Sequence, residues 1–386
     1  MIINGKNGFG NYKTLKEFMF EGEESFKPEQ VLPSDPAEIL YTSGTTDKPK
    51  GAILPHYSFV NRAKEVASIV SLREDDVLYN CLPFFHTSGQ VMTTLPALLA
   101  GLTSSQMDWF HVSKFWKFAS KTGSTVSFLL MRMVNLLLNT QDQNFAPNKL
   151  RVIMCGGVHA SMQNKFRQKF GIQLVEGYGM TETCGIAIFN TVYDNKVGSI
   201  GKPLKSVDAK LVDDNGKDVR IGENGELALK EKVKNTMFLS YLNAPSPFFK
   251  NGWFLTGDIA RIDEEGYYYY VDRKKEIIRS RGENIIPSQI ESVAELYPGV
   301  IESAATGVLS KDTGDEEILL AVKTSSRIDL RSFLTFLRSK LPFYMVPRFI
   351  IFLDSIPKTA NQKVKRSELK KLDLSQALDT SKIGGV

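Results

Sequence analysis

The segment Tyr41-Thr42-Ser43-Gly44-Thr45-Thr46-Asp47-Lys48-Pro49-Lys50-Gly51-Ala52-Ile53-Leu54 decides how the rest of the chain is read. Hydroxyl side chains, glycines and lysines crowd together there between apolar flanks, with no spacing that would make a packed face. Gly44 and Gly51 let the backbone turn so that successive N–H groups point at one anion, the hydroxyls add donors, and Lys48 and Lys50 add charge. This is the composition of a phosphate loop; a surface turn is the alternative that the segment alone leaves open. It is not a Walker A loop, because no Gly-Lys-Ser/Thr follows a Gly at the required spacing. No Gly-x-Gly-x-x-Gly fingerprint occurs elsewhere. Ile39 to Tyr41 reads as a strand before the loop and Tyr57 to Val70 as a helix behind it, an order that phosphate cradles use.

Outward from the loop, strands and helices alternate. Leu15, Phe18 and Met19 make a small helical stripe before it. Val77 to Pro83 reads as a strand ending in Phe84-Phe85-His86-Thr87-Ser88-Gly89, where His86 is either a packed turn residue or a site residue. Leu95 to Leu102 is apolar helix closed by Gly101, and Ser113 is placed to cap the helix of Phe115, Trp116 and Phe118. Thr125 to Leu130 is strand, Met131 to Leu138 helix and Leu150 to Met154 strand, ending at Cys155-Gly156-Gly157. Leu174 to Glu176 ends at Gly177-Tyr178-Gly179-Met180-Thr181-Glu182-Thr183. The alternation predicts an α/β layered core with mostly parallel strands, whose C-terminal strand ends are where ligands sit. Glu182 is there either as a metal carboxylate or as a residue serving a helix dipole.

After about residue 197 short strands and turns take over, among them Ala209 to Val212, Leu227 to Leu229 and Trp253 to Ile259, which contains Thr256-Gly257-Asp258. They predict a small β unit. Tyr267 to Val271 is an aromatic strand ending at Asp272-Arg273-Lys274-Lys275-Glu276. That charged pentad marks the boundary of a second, smaller and mobile α+β domain, giving domains 1–271 and 272–386. Within it, Glu291 to Leu296 and Leu330 to Leu341 read as helices, and Ala304 to Val308 and Ile318 to Lys323 as strands. Near its end Pro357-Lys358-Thr359-Ala360-Asn361-Gln362-Lys363-Val364-Lys365-Arg366 is a basic turn, for which a solvated charge run is the plain reading.

Composition narrows the function classes. The 386 residues make roughly two or three domains. Lys plus Arg exceed Asp plus Glu by 48 − 43 = 5, with no lysine block or acidic tail, which gives nucleic acid no footing. Cys81, Cys155 and Cys184 are odd in number and far apart, against a disulfide framework or a zinc site and in favour of a reduced cytoplasmic setting. The first twenty residues lack a signal-peptide core, and the most apolar run, Val126 to Leu138, is interrupted by Arg132 and Asn135 and too short to span a bilayer.

The ordered set of motifs, Tyr41 to Gly51, Gly177 to Thr183, Trp253 to Asp258, Asp272 to Glu291 and Pro357 to Lys363, resembles the adenylate-forming superfamily of acyl-CoA synthetases, nonribosomal adenylation domains and firefly luciferases. Arg279-Ser280-Arg281-Gly282-Glu283-Asn284-Ile285 is similar to the crotonobetaine/carnitine-CoA ligase group. The resemblance implies an ATP- and Mg2+-dependent enzyme that activates a carboxylic acid as its adenylate and passes the acyl group to coenzyme A. A carrier-protein acceptor and a noncatalytic nucleotide-binding relative are the alternatives. It implies that Thr42, Ser43, Gly44, Thr45, Thr46 and Lys50 hold the ATP phosphates, that Gly156, Gly157 and Tyr178 flank the adenine, that Gly179 belongs to the same cofactor-binding set, and that Thr181 contacts phosphate. Glu182 would bind Mg2+, Asp258 would accept from the ribose hydroxyls, Arg273 would lie near the ribose, and Lys275 would be the hinge. Gly282 and its neighbours would face the thioester-forming site, and Lys363 would bridge the substrate carboxylate and the α-phosphate. His86 would be a wall of an acyl site lined by Phe85, Ser88, Met131 and Cys184, suited to a small or medium acid.

Three departures accompany the resemblance. Relatives carry a much longer segment before the phosphate loop, whereas 40 residues precede Tyr41, so a first subdomain is expected to be missing and a homo-oligomer or a complementing N-terminal chain is a partner to look for. Asp47 stands where Gly is usual, placing a carboxylate beside the phosphates. Gln362 replaces the Gly before the lysine, restricting the backbone there.

Overall fold

Between residues 77 and 203 the chain builds a seven-stranded sheet in the order Lys202–Pro203, Ile188–Phe189, Gln173–Tyr178, Val152–Gly156, Val126–Leu130, Val77–Asn80, Thr103–Gln106. The last five pair in parallel, and the first two turn antiparallel at one edge. The computed structural model describes residues 2–3, 13–14, 27–42, 50–140, 145–244, 251–280, 283–309, 316–358 and 364–382. The helical stripe at Leu15 to Met19 lies outside them.

Helices cover the sheet because their apolar residues recur at helical spacing. In His56–Ile69 the buried Phe59, Ala63, Val66 and Ile69 form one stripe, of which Phe59, Val66 and Ile69 pack in the same core as Leu78, Val126, Met154 and Val175. The other face of the sheet takes Phe115, Trp116 and Phe166 with Leu129 and Ile153. The helix Leu95–Ala100 ends at Gly101, which adopts φ 68° as the cap reading requires. Ser113 does not cap the next helix: Phe115–Thr122 begins on Lys114, and the Lys114 and Phe115 N–H groups donate to the His111 carbonyl at 3.0 and 2.9 Å. A backbone acceptor had already taken the donors that a serine would have served.

One expectation is corrected near the opening motif. The loop does not run from a strand directly into a helix. Lys50–Pro55 is itself a strand, paired antiparallel with Pro36–Thr42 and flanked on its other side by Ser240–Tyr241. Short apolar runs such as Ala52-Ile53-Leu54 do not declare strand or helix by periodicity, and here the pairing partner decides. The register sets Thr42 opposite Lys50 and Tyr41 opposite Gly51, so both ends of the loop are fixed by a ladder.

The β unit is a four-stranded antiparallel sheet in the order Val207–Val212, Asn224–Glu231, Phe254–Ile262, Tyr268–Arg273. Beyond the turn Lys274–Glu276, the hairpin Ile278–Ser280/Glu283–Ile285 and the helix Pro287–Ala294 lead into a second four-stranded sheet, in the order Val300–Leu309, Glu316–Thr324, Phe349–Phe352, Leu378–Asp379. Its core gathers Ile278, Ile285, Ile290, Ile318, Leu320, Phe333 and Leu337. Among the described residues no helix is long and apolar enough to cross a membrane.

Candidate active site

The site forms where the parallel strands end. Gly156 and Gly177 are direct register partners at the ends of adjacent strands. A Cβ at Gly156 would meet nothing closer than the Phe128 ring at 3.8 Å, and at Gly157, whose φ is +75°, nothing closer than Met131 Cβ at 3.9 Å. The backbone therefore presents an open face there. Gly179 differs: a Cβ would come within 2.0 Å of the Gly185 carbonyl, so the close approach of its own chain requires glycine.

The tight turn after Gly179 holds Thr181–Thr183 as a single 3-10 turn. It buries Glu182, whose backbone carbonyl accepts the Phe238 N–H at 2.8 Å and whose Oε1 accepts the Tyr241 hydroxyl at 2.6 Å. Oε2 makes no hydrogen bond among the described residues. Tyr241 is ordered by the strand ladder, opposite Ala52 on Lys50–Pro55, and the Lys50 ammonium lies 5.1 Å from the centre of its ring. Burial and the Glu182 charge push the Tyr241 hydroxyl pKa upward, so it remains a donor. A buried carboxylate held through one oxygen suits Mg2+, which is usually bound by one or two carboxylates together with substrate phosphates. Among the described residues no cluster of three or more His, Cys, Asp or Glu offers a self-contained metal cage.

A second carboxylate is placed by strand register. Asp258 and Arg273 are partners on Phe254–Ile262 and Tyr268–Arg273, and Arg273 Nε lies 2.8 Å from Asp258 Oδ1. The Tyr178 hydroxyl donates to Asp258 Oδ2 at 2.5 Å, joining this unit to the parallel sheet. Tyr178 is buried, and burial followed by the Asp258 charge holds its pKa well above the usual tyrosine value. Its ring lies near Tyr270, at a centroid distance of 6.3 Å and an interplanar angle of 25°. Behind the Gly156-Gly157 turn, buried Glu176 accepts the Val158 N–H at 2.8 Å and the Gln163 amide at 2.6 Å, and burial pushes its carboxyl up to about 8.

Other sequence candidates are more dispersed. Thr181 is half-buried, and His86 is half-buried beside the exposed Phe85, with ring centres 4.8 Å apart. Phe85 and Trp109 are 61% and 56% exposed and 6.3 Å apart, so this aromatic group is an open rim. Cys184 does not join Phe85 there: it is fully buried in the core, with Ser58 and Arg62 beside it. Lys275 is exposed in the turn Lys274–Glu276. Ser43, Gly44, Thr45, Thr46, Asp47, Lys48, Gly282, Gln362 and Lys363 lie outside the described residues. Among the residues that flank 359–363, the Lys365 N–H donates to the Pro357 carbonyl at 2.9 Å and Lys358 bridges Val364. Directly after it, Arg366 pairs with Glu276 of the turn and, at 2.6 Å, with Glu291. Tyr241 is a site residue that sequence reading missed; its one signal was the tyrosine within the short, mostly apolar stretch Phe238 to Leu242.

Glycine-rich ends of parallel strands, the buried carboxylate of Glu182 and the Asp258 carboxylate held against Arg273 are the features of a nucleotide-activating α/β enzyme. Residues 6–242 match the family model for AMP-binding enzymes, and residues 289–363 match that for the AMP-binding enzyme C-terminal domain. The chain belongs to this family, the adenylate-forming acyl-CoA synthetases. It is 32% identical to an indoleacetate–CoA ligase of Aromatoleum aromaticum over 95% of this chain and 72% of the relative. It is 34% identical to a long-chain-fatty-acid–CoA ligase of Escherichia coli over 89% of this chain and 63% of that protein. The solved structure of O-succinylbenzoate coenzyme A synthetase from Bacillus subtilis with ATP and magnesium superposes with a TM-score of 0.83 and 29% identity, over 93% of this chain and 76% of that one. These relatives do not carry the narrower likeness to crotonobetaine/carnitine-CoA ligases.

Proposed function

We propose that this chain is an AMP-forming acyl-CoA synthetase in which Glu182, Asp258, Arg273 and Lys363 act as assigned by the resemblance. The observation that carries the reading is Glu182 itself, a buried carboxylate whose Oε1 accepts from Tyr241 and whose Oε2 has no hydrogen-bond partner among the described residues. Thr42, Lys50 and the loop between them take the β- and γ-phosphates, the open faces of Gly156 and Gly157 take the adenine, and Asp258 takes the ribose hydroxyls. Glu182 would hold Mg2+, which when bound would supply neutralising charge to the phosphates.

In the first half-reaction a substrate carboxylate oxygen bonds to the α-phosphorus and pyrophosphate leaves with the bridging oxygen. Two anions must meet, so positioning and charge neutralisation by Lys50 and Lys363 dominate. In the second, the thiol of coenzyme A attacks the acyl-adenylate carbonyl and AMP departs. The domain boundary is proposed at residues 271/272, with Lys275 as pivot, so that Lys363 serves the first step and withdraws for the second.

The acid is a small or medium carboxylic acid entering past His86, Phe85 and Met131. A cytoplasmic location is supported by three buried free cysteines. A second copy as partner is supported by the outer edge of Pro36–Thr42, where Ile39 and Tyr41 are 44% and 63% exposed. Incubation with ATP, Mg2+, coenzyme A and a mixed pool of acids, followed by mass analysis, tests the function. Acyl-CoA products are expected, and their absence with folded protein would overturn it.

A further inference from the structure

We propose that Arg62 is the positioning residue of the Glu182 site and sets how much Mg2+ strengthens ATP binding, without touching either ligand. This deepens the synthetase reading and rests on it. Arg62 lies in the helix His56–Ile69, within the stripe that otherwise packs Phe59, Ala63 and Val66, and it is completely buried. Burying a guanidinium there carries a desolvation cost that is offset only when its donors are all met by well-placed acceptors. Its hydrogen bonds show what it does.

Nε donates to the Thr183 carbonyl at 2.9 Å, and Nη2 donates to the Thr236 carbonyl at 2.8 Å. Nη1 donates to Ser206 Oγ at 2.7 Å and to Glu65 Oε2 at 2.5 Å. Glu65 in turn accepts the Ser206 N–H through Oε1 at 3.1 Å. One planar group thus joins three segments that are remote in sequence. Two of them build the metal carboxylate. Thr183 directly follows Glu182, and Thr236 starts the segment that brings the Phe238 N–H to the Glu182 carbonyl and the Tyr241 hydroxyl to Glu182 Oε1.

Arg62 is therefore the common anchor of the carboxylate and of the group that orients it. The task needs the rigid fork of arginine: a lysine presents a single ammonium and cannot meet two carbonyls and a hydroxyl in fixed directions. Groups that orient metal ligands typically govern about 10- to 100-fold of metal affinity when replaced.

The test measures ATP affinity by calorimetry with and without Mg2+ for the full chain, Arg62→Lys and Tyr241→Phe. Arg62→Lys is expected to cut the Mg2+-dependent gain in affinity by about 10-fold while Mg2+-free ATP binding stays within about 2-fold. The double variant should lose less than the product of the single losses, because both act through Glu182. Should Arg62→Lys fail to fold, Ser206→Ala removes one acceptor of the same guanidinium and is expected to lower the gain in the same direction. An equal loss with and without Mg2+, or an unchanged gain in the folded variants, would overturn the inference and leave a purely structural clamp. No Mg2+-dependent gain in the unaltered chain would instead overturn the synthetase reading.

Discussion

Asp258→Asn isolates the nucleotide-binding part of the account. The carboxylate is 1% exposed and already engages Tyr178 at 2.5 Å and Arg273 at 2.8 Å. In the asparagine variant the amide nitrogen cannot face Arg273, since two donors would oppose each other, so it turns toward Tyr178 and keeps its oxygen on the guanidinium. Hydrogen bonds to a charged group contribute roughly 1.5–3 kcal/mol and neutral ones roughly 0.5–1.5, so each contact weakens by about 1 kcal/mol. Two ribose hydroxyls donating to this group lose about 2 kcal/mol together, roughly 30-fold in Kd. Titration calorimetry with ATP and with 2′,3′-dideoxy-ATP reads the effect. ATP should bind the variant roughly 30-fold more weakly, and the dideoxy nucleotide, already lacking both donors, should be nearly indifferent to the substitution. An equal loss for both nucleotides would refute the ribose assignment and leave Asp258 as a brace for Tyr178 and Arg273.

Further expectations follow from the same geometry. Lys363→Ala should slow adenylate formation by roughly 10²-fold or more while sparing thioester formation from supplied acyl-adenylate, and an equal fall in both would contradict the two-step use of the small domain. Glu176, raised by burial from 4.5 to about 8, holds its proton in the folded chain over a range where the unfolded chain has lost it. Folded binds more protons than unfolded there, so stability declines as pH rises through that window. Glu176→Gln should flatten this part of the melting-temperature profile, although Glu295, raised to about 7, leaves a residual slope of the same sign. Superimposable profiles would contradict it. Arg366→Met removes the guanidinium that pairs with both Glu276 and Glu291, and should destabilise by roughly 3–5 kcal/mol in denaturant unfolding.

The alternation of strands and helices made the layered core legible, and most strand and helix positions from Val77 onward fall within a few residues of their sequence reading. What sequence withheld was pairing. Nothing local distinguishes a loop feeding a helix from a hairpin, and the strand Lys50–Pro55 declares itself only through its partners Pro36–Thr42 and Ser240–Tyr241. Asp258 and Arg273 were each singled out as ligands, yet their direct contact comes from antiparallel register. Tyr241 and Arg62 were missed for the same reason: each gains its meaning from a carboxylate or carbonyl more than fifty residues away. Cys184 follows the glutamate motif in sequence, but it is buried in the core.

The central claim is that this site makes an acyl-adenylate. Magnesium-dependent pyrophosphate release with a panel of carboxylic acids measures that step directly, before any thiol acceptor is involved. Release that requires ATP, Mg2+ and a particular acid, and that is abolished by Glu182→Ala, is the predicted result. Folded chain that binds ATP but releases no pyrophosphate with any acid would contradict it.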